Sequence, residues 1–319
     1  MTAVSVGVDV GGTKILAVLL DDLGRVLAEA RHATPPGEDA PGVVVADAVA
    51  VALGDLAEVA GSGFADLPVG IGVPGMLSRD GTLVFAPNLQ SASGADLATV
   101  MTERLGRRVE LTNDADAAAV AEHRMGAARG IDEFVMVTLG TGIGGGVISE
   151  GRLVRGAHGF AGEIGHLVID TSGPRCPCGK RGCWERYASG AGVARLAREA
   201  ATAGRLRALV EQLGDAEAVR GEDVTHAAAA GDREALAVLE EVGWWLALGL
   251  SNLAAVLDPA CFVLGGGLAE ASAQLLPSTR RHLTGLLEAG ELRPVIPVVA
   301  AELGYQAGAI GAGLLAASS

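Results

Sequence analysis

One pattern occurs twice along this chain, and a duplicated unit narrows the possible folds more than composition does. The first copy has an apolar strand over residues 4–10, the turn Gly11-Gly12-Thr13-Lys14, a second strand over 15–20 and, after Asp22-Leu23-Gly24, a third around 25–30. The second copy has a strand over residues 134–139, the turn Gly140-Thr141-Gly142, a strand over 147–149, the turn Glu150-Gly151 and a strand over 152–154. Aligning Gly11 with Gly140 also brings Val18-Leu19 onto Val147-Ile148 and Asp21 onto Glu150. This predicts two similar α/β lobes that face one another, each offering a glycine turn to a central cleft. Such turns expose backbone amides with no Cβ in the way, which is what phosphate oxygens need. A third cluster, Gly265-Gly266-Gly267, follows an apolar strand over 261–264 and precedes a helix from Leu268, another arrangement suited to an anion or nucleotide.

The rest of the chain fits this scheme. At 319 residues it exceeds a typical single-core domain of about 100–200 residues, so two lobes are expected. Half of it is hydrophobic and only 3% aromatic, which suits a core of Ala, Val and Leu, and 47 glycines point to many tight turns. The formal charge of −14 opposes binding to a phosphate backbone. The first ten residues lack the basic region of a secretory signal. The longest apolar passage, residues 244–257, is broken by Ser251 and Asn252 and falls short of the roughly 20 residues a membrane span needs. A soluble, cytoplasmic protein is expected, with Cys261 as an inert core thiol.

Residues 163–185 place one histidine and three cysteines between two carboxylates: Glu163, His166, Cys176, Cys178, Cys183 and Glu185. Zinc prefers four soft or borderline donors in a tetrahedron, and donors this close in sequence close around one ion without help from the rest of the fold. Cys176 and Cys178 are too near each other for an unstrained disulfide. Unligated thiols or a redox pair are the alternative.

Two carboxylates outside this segment stand out. Asp9 ends a buried strand beside the first glycine turn, where an isolated charge is costly unless a cation such as nucleotide-bound magnesium meets it. Asp114 lies where a strand over 109–111 meets an alanine-rich helix that runs to about Gly126; it reads either as a helix N-cap or as a general base positioned by Asn113. Lys14 is either a surface charge or a phosphate ligand. Elsewhere, residues 42–61 read as a helix, 69–73 as a strand ending at Pro74-Gly75 and 191–257 as mostly helical; Trp244-Trp245 is expected in the core or at a subunit interface, and 307–317 as a last helix.

The runs 9–14 (Asp-Val-Gly-Gly-Thr-Lys), Asn113-Asp114, 140–146 (Gly-Thr-Gly-Ile-Gly-Gly-Gly), 161–166 (Ala-Gly-Glu-Ile-Gly-His), the cysteine run 176–185 and Gly265-Gly266-Gly267 resemble, in order and over nearly the whole chain, the ROK (repressor, open reading frame, kinase) family. The resemblance implies the two-lobed actin-like ATPase fold shared with hexokinases, with ATP and a hexose in the cleft. It implies a smaller lobe over 1–115, a larger lobe over 116–304 and a return of the C-terminal helix, about 305–319, to the first lobe. Carried over by position, Asp114 is the catalytic base for a hexose hydroxyl, normally that on C6. Gly75, Asn88, Asn113, Glu163, His166 and Glu185 then contact the sugar. Asp9, Gly11, Gly12, Thr13, Lys14, Thr141, Gly142, Gly266 and Gly267 surround Mg-ATP, with Asp9 near the magnesium. His166, Cys176, Cys178 and Cys183 hold a structural zinc, which with four protein ligands has no open position.

Within the family the resemblance is to glucokinases, with N-acetylmannosamine, mannose and fructose kinases as alternatives, and a homodimer or homotetramer is implied. Pro87-Asn88-Leu89 fits the glucokinase-like members. Residues 90–94 lack the tryptophan found soon after it in many of them, and Asp116 stands where asparagine is frequent. The family's repressors carry an added N-terminal DNA-binding segment, whereas Asp9 here opens the phosphate motif almost at the first residue. The resemblance and the charge together predict an enzyme with no nucleic-acid or membrane partner.

Overall fold

The computed structural model describes residues 2–35, 42–87, 89–271 and 273–318. In chain order the elements are β1 (Ala3–Val10), β2 (Lys14–Asp21), β3 (Val26–Ala33), α1 (Val43–Ala60), β4 (Val69–Val73), β5 (Met76–Leu77), β6 (Thr82–Phe85), β7 (Ala95–Asp96), α2 (Leu97–Leu105), β8 (Glu110–Asn113) and α3 (Asp114–Met125). They continue with β9 (Phe134–Leu139), β10 (Ile143–Ser149), β11 (Arg152–Leu153), α4 (Glu185–Ala188), α5 (Gly190–Thr202), α6 (Arg207–Leu213), α7 (Gly221–Ala229) and α8 (Arg233–Leu257). The chain ends with β12 (Cys261–Gly265), α9 (Gly267–Ala271), α10 (Leu275–Leu286), β13 (Val298–Ala300) and α11 (Ala307–Ala317). None of the described helices is long and apolar enough to cross a membrane.

The duplication is written into the sheets. One five-stranded sheet has the order β3-β2-β1-β4-β8 and another the order β11-β10-β9-β12-β13, so an antiparallel meander continues into parallel strands in both. A three-stranded sheet, β5-β6-β7, stands apart. One expectation needs correction: β10 begins at Ile143, so glycines 144–146 lie in the strand rather than ahead of it. Helix α3 explains the last of them. A Cβ at Gly146 would stand 2.6 Å from the Ala119 Cβ and 2.8 Å from the Ala115 carbonyl oxygen.

The chain forms two compact units: Met1–Asp132 with Gly146–Gly162 and Tyr305–Ser319, and Glu133–Gly145 with Glu163–Gly304. The sequence places a boundary after residue 115, whereas α3 stays with the first unit. Its alanines pack against α11, and a Cβ at Gly311 would fall 1.7 Å from the Ala117 carbonyl oxygen.

Strand periodicity sorts the first unit into two faces. Val6, Val8 and Val10 of β1 and Val69, Ile71 and Val73 of β4 join Val45, Val49, Leu53 and Leu56 of α1 in one buried apolar cluster. Each such side chain stabilises the fold by about 1.5–3 kcal/mol. Gly7 of β1 and Gly70 of β4 are among the alternate positions, and α11 lies on them main chain to main chain. A Cβ at Gly7 would meet the Ala309 carbonyl oxygen at 1.8 Å, and one at Gly70 the Ala312 oxygen at 1.9 Å.

In the second unit the largest fully buried side chain is Trp184. Its indole N–H donates to the Trp245 carbonyl at 2.9 Å, and α8 has glycine at 249 where a Cβ would enter the Trp184 ring. Of the two places expected for Trp244-Trp245, the core or a subunit interface, the core does not hold the pair: Trp244 is 36% exposed, and Trp245 is half-buried against the Tyr187 ring, 4.1 Å between centroids.

These contacts set an expected outcome. Gly311→Ala should destabilise the protein by about 2–3 kcal/mol in urea denaturation, since the obstacle is backbone that cannot rotate away. Gly54→Ala, mid-helix in α1 with open space around it, should instead add about 0.5–1 kcal/mol. Equal effects from the two substitutions would contradict the packing described.

Candidate active site

In the first unit the parallel register carries two carboxylates to one edge of the sheet. Asp9 near the end of β1 pairs with Gly72 of β4, Val73 pairs with Asn113 of β8, and Asp114 follows as the first residue of α3. Asn113, and not Asp114, caps that helix: its Oδ1 accepts from the amides of Ala115 at 2.8 Å and Asp116 at 3.1 Å. Its Nδ2 donates to the Gly75 carbonyl at 3.0 Å. Gly75 has φ +102°, and a Cβ there would stand 2.3 Å from the Phe85 oxygen, so only glycine presents its carbonyl to Asn113 this way.

The Asp114 carboxyl is thereby left outside the N-cap, its Oδ1 sharing only the Ala115 amide, at 2.8 Å, with Asn113. Desolvation by burial raises its pKa from 3.8 to about 6, while the Ala115 amide and its own amide hold it down. Asp9 is raised further, to about 7, by burial and by the charge of Asp114, with Lys14 pulling the other way. Two half-buried acids with raised pKa values ask for a cation.

Both glycine turns have their carbonyls taken. In the first unit the Gly11 amide donates to the Lys14 oxygen at 2.8 Å, the Thr34 hydroxyl donates to the Gly11 carbonyl at 2.6 Å and the Thr34 amide to the Thr13 carbonyl at 3.0 Å. Gly12, Thr13 and Lys14 are exposed, and the Lys14 ammonium lies 5.9 Å from the centre of the Tyr305 ring, which Arg31 also covers at 4.4 Å. In the second unit the amides of Gly190 and Ala191 donate to the carbonyls of Gly140 at 2.8 Å and Thr141 at 3.3 Å. The N–H of a trans peptide points opposite to its C=O. The amides of Gly12, Thr141 and Gly142 are therefore aimed away from these anchors. Gly266, with φ +89°, packs against the end of β9, and Gly267 begins α9 in open space. Asn88 lies outside the described residues.

The cysteine loop belongs to the second unit. Pairing of Val168 with Cys183 and of Arg175 with Arg181 folds it into a ribbon, and Gly182, φ +66°, passes so close to the Asp170 carbonyl that a Cβ would meet it at 1.5 Å. The Tyr187 hydroxyl donates to Asp170 at 2.6 Å, which closes the ribbon from outside. The donor atoms of His166, Cys176, Cys178 and Cys183 all lie within 4.8 Å of one another. Cys178 and Cys183 sulfurs are 3.5 Å apart, and the Cys176 sulfur is 3.7 Å from His166 Nδ1. Tetrahedral zinc with bonds of 2.0–2.3 Å sets donors about 3.5–4 Å apart. The four residues fit such an ion, with Nδ1 as the imidazole donor; Nε2 faces Glu163 at 3.9 Å. The cysteines are free thiols rather than a disulfide. Glu185 borders the cluster, its Oε1 accepting from Cys176 at 3.0 Å and standing 3.7 Å from His166 Nδ1. Burial, then Glu185, pushes the Cys176 thiol well up, and a metal's charge would reverse that.

A family model described as the ROK family matches residues 5–319. The chain belongs to the ROK family. A glucokinase from Streptomyces coelicolor is 38% identical over 315 residues, 98% of this chain and 97% of that protein. The crystal structure of a ROK family glucokinase from Streptomyces griseus in complex with glucose and AMPPNP is 37% identical, covers 99% of both chains and superposes with a TM-score of 0.87. A xylose repressor from Bacillus subtilis is 33% identical over 219 residues, 68% of this chain and 52% of that protein. With that ROK glucokinase structure the chain shares the α/β fold of actin-like ATPases, and the Cys3His cluster fits a zinc site.

Several anchors were not singled out in the sequence: Thr34, Trp184, Ser189 and Gly190. Ser189 alone left a local signal, a serine one residue ahead of a helix.

Purified protein should carry about one zinc per chain by elemental analysis, and Cys178→Ala should carry almost none. A metal-free preparation that unfolds in urea no more readily than the zinc-loaded protein would overturn the assignment. The Asp114 carboxyl also makes stability depend on pH. It titrates near 6 in the fold against 3.8 when free, so the ligand-free protein loses stability as pH rises from about 4 to about 6. Asp114→Asn should remove that loss and be more stable by about 2–3 kcal/mol at pH 8, with the gap closing near pH 4. A gap independent of pH in urea titrations would contradict the raised pKa.

Proposed function

We propose that the protein is an ATP-dependent hexokinase-type sugar kinase that transfers the γ-phosphoryl group of Mg-ATP to the 6-hydroxyl of glucose. The observation that carries the chemistry is Asp114: a carboxyl left outside the N-cap by Asn113 and held by burial near pKa 6. Such a group is mostly ionised at neutral pH and remains basic enough to receive a proton. It accepts the proton of the attacking hydroxyl as the new oxygen–phosphorus bond forms and the bond to the ADP oxygen breaks. The likeness to glucokinases, one of them solved with glucose and AMPPNP, supports the choice of sugar and donor.

A neutral hexose offers only hydroxyls, so its recognition needs fixed donors and acceptors. In this reading Glu163, Glu185, the Nε2 side of His166, Asn88 and Asn113, the last backed by Gly75, serve sugar hydroxyls. Gly11, Gly12, Thr13 and Lys14, with Thr141, Gly142, Gly266 and Gly267, receive the nucleotide, and Asp9 faces its magnesium. Zinc, when bound, supplies a structural clamp for the loop that bears the sugar ligands. The net charge of −14 supports an enzyme without a nucleic-acid partner. A cytoplasmic homo-oligomer completes the reading.

A coupled assay of ADP release across glucose, mannose, fructose and N-acetylmannosamine tests it directly. Glucose should give the highest kcat/KM, falling below about pH 6 as Asp114 takes up its proton. Asp114→Asn should lower kcat by about 10²–10⁴-fold with the circular dichroism spectrum unchanged. Unimpaired turnover in that variant would remove Asp114 as the base, and absence of ADP release with every sugar would remove the kinase reading.

A further inference from the structure

The cysteine-histidine loop grips residues 140–143 from both of its ends. Past the loop, the Gly190 and Ala191 amides at the start of α5 hold the Gly140 and Thr141 carbonyls. Ahead of it, Gly165 rests on Ile143 so closely that a Cβ would stand 2.2 Å from the Ile143 oxygen. Between them, Glu185 faces two ways. Its Oε1 is 3.0 Å from the Cys176 sulfur, and its Oε2 lies against Gly142, where a Cβ would come within 2.6 Å of it. Ser189, fully buried, joins the two halves: its hydroxyl donates to the Glu185 carbonyl at 2.6 Å and accepts from the Gly192 amide at 3.2 Å.

We infer that Ser189 and Gly190 are positioning residues that aim the Thr141 and Gly142 amides, and that through them and Glu185 the metal loop governs nucleotide affinity as well as sugar affinity. The inference rests on the reading of Gly140-Thr141-Gly142 as a phosphate turn. A glycine turn left to itself samples many orientations, and each off-axis amide weakens its bond to a phosphate oxygen. Holding the carbonyl of a planar peptide fixes the N–H on its other side. Loosening the loop therefore frees the turn, and the coupling is reciprocal: bound nucleotide should slow loss of the metal.

The test is calorimetric titration with AMPPNP and magnesium. Gly190→Ala places a methyl 3.0 Å from the Gly140 oxygen without touching a metal ligand. It should weaken AMPPNP about tenfold and raise KM for ATP, while retaining one metal, its kcat and its glucose affinity within about twofold. Ser189→Ala should weaken AMPPNP similarly, and Ser189→Thr, which keeps the hydroxyl, should restore it. In the unmodified protein AMPPNP should slow zinc transfer to a chelator, a measurement that stands even if Gly190→Ala fails to fold. Normal AMPPNP affinity in both variants, or zinc release indifferent to AMPPNP, would overturn the inference alone. An unmodified, metal-loaded protein that binds no AMPPNP would instead bring down the nucleotide reading beneath it.

Discussion

Much of the first unit depends on main chain lying directly on main chain. Gly7 and Gly70 meet the carbonyls of Ala309 and Ala312 at distances no Cβ tolerates, and Gly311 does the same with Ala117. The close approach seats α11 on β1 and β4 while α1 covers the other face with valine and leucine. It also brings Gly308 against the Asp9 carboxyl. The acid at the end of β1 is thus buried by the same contact that closes the core, and its raised pKa follows from the packing.

The second unit reaches rigidity by another route. Trp184 is sunk beside α8 at Gly249, and the residues on either side of it, Cys183 and Glu185, inherit its fixed position. A metal-ligand loop is usually described by its donors alone. Here the donors are half of the arrangement, and the other half is an indole, a tyrosine–aspartate hydrogen bond and a buried serine that tie the loop to its surroundings.

What the sequence disclosed and what it hid differ by the range of the interactions involved. The repeated meander was legible because strand, glycine and strand are local signals, and the two sheets share one strand order. His166, Cys176, Cys178 and Cys183 were legible because their spacing already brings them together. Asp114 was visible at a strand-to-helix junction, but that Asn113 would do the capping was not, since both residue types suit that position. Glycines 144–146 fell outside the expected strand over 147–149 because glycine weakens a strand signal; they lie within β10, and Gly146 lets α3 approach closely. Thr34, Trp184 and Gly190 matter only through contacts made after folding, so no window of sequence could mark them. The same holds for α3, whose place in the first unit is set by residues near the C-terminus.

The glycine-lined seat of α11 also bears on the entropy of folding. Alanine and glycine lose no rotamer freedom when buried, so this interface forms without the side-chain ordering that a leucine or methionine core requires. The loss falls on the backbone instead, since a glycine explores more of conformational space than any other residue before it folds. The low aromatic content and the abundance of glycine are therefore two sides of one arrangement: a core with few side chains to order and much main chain to fix.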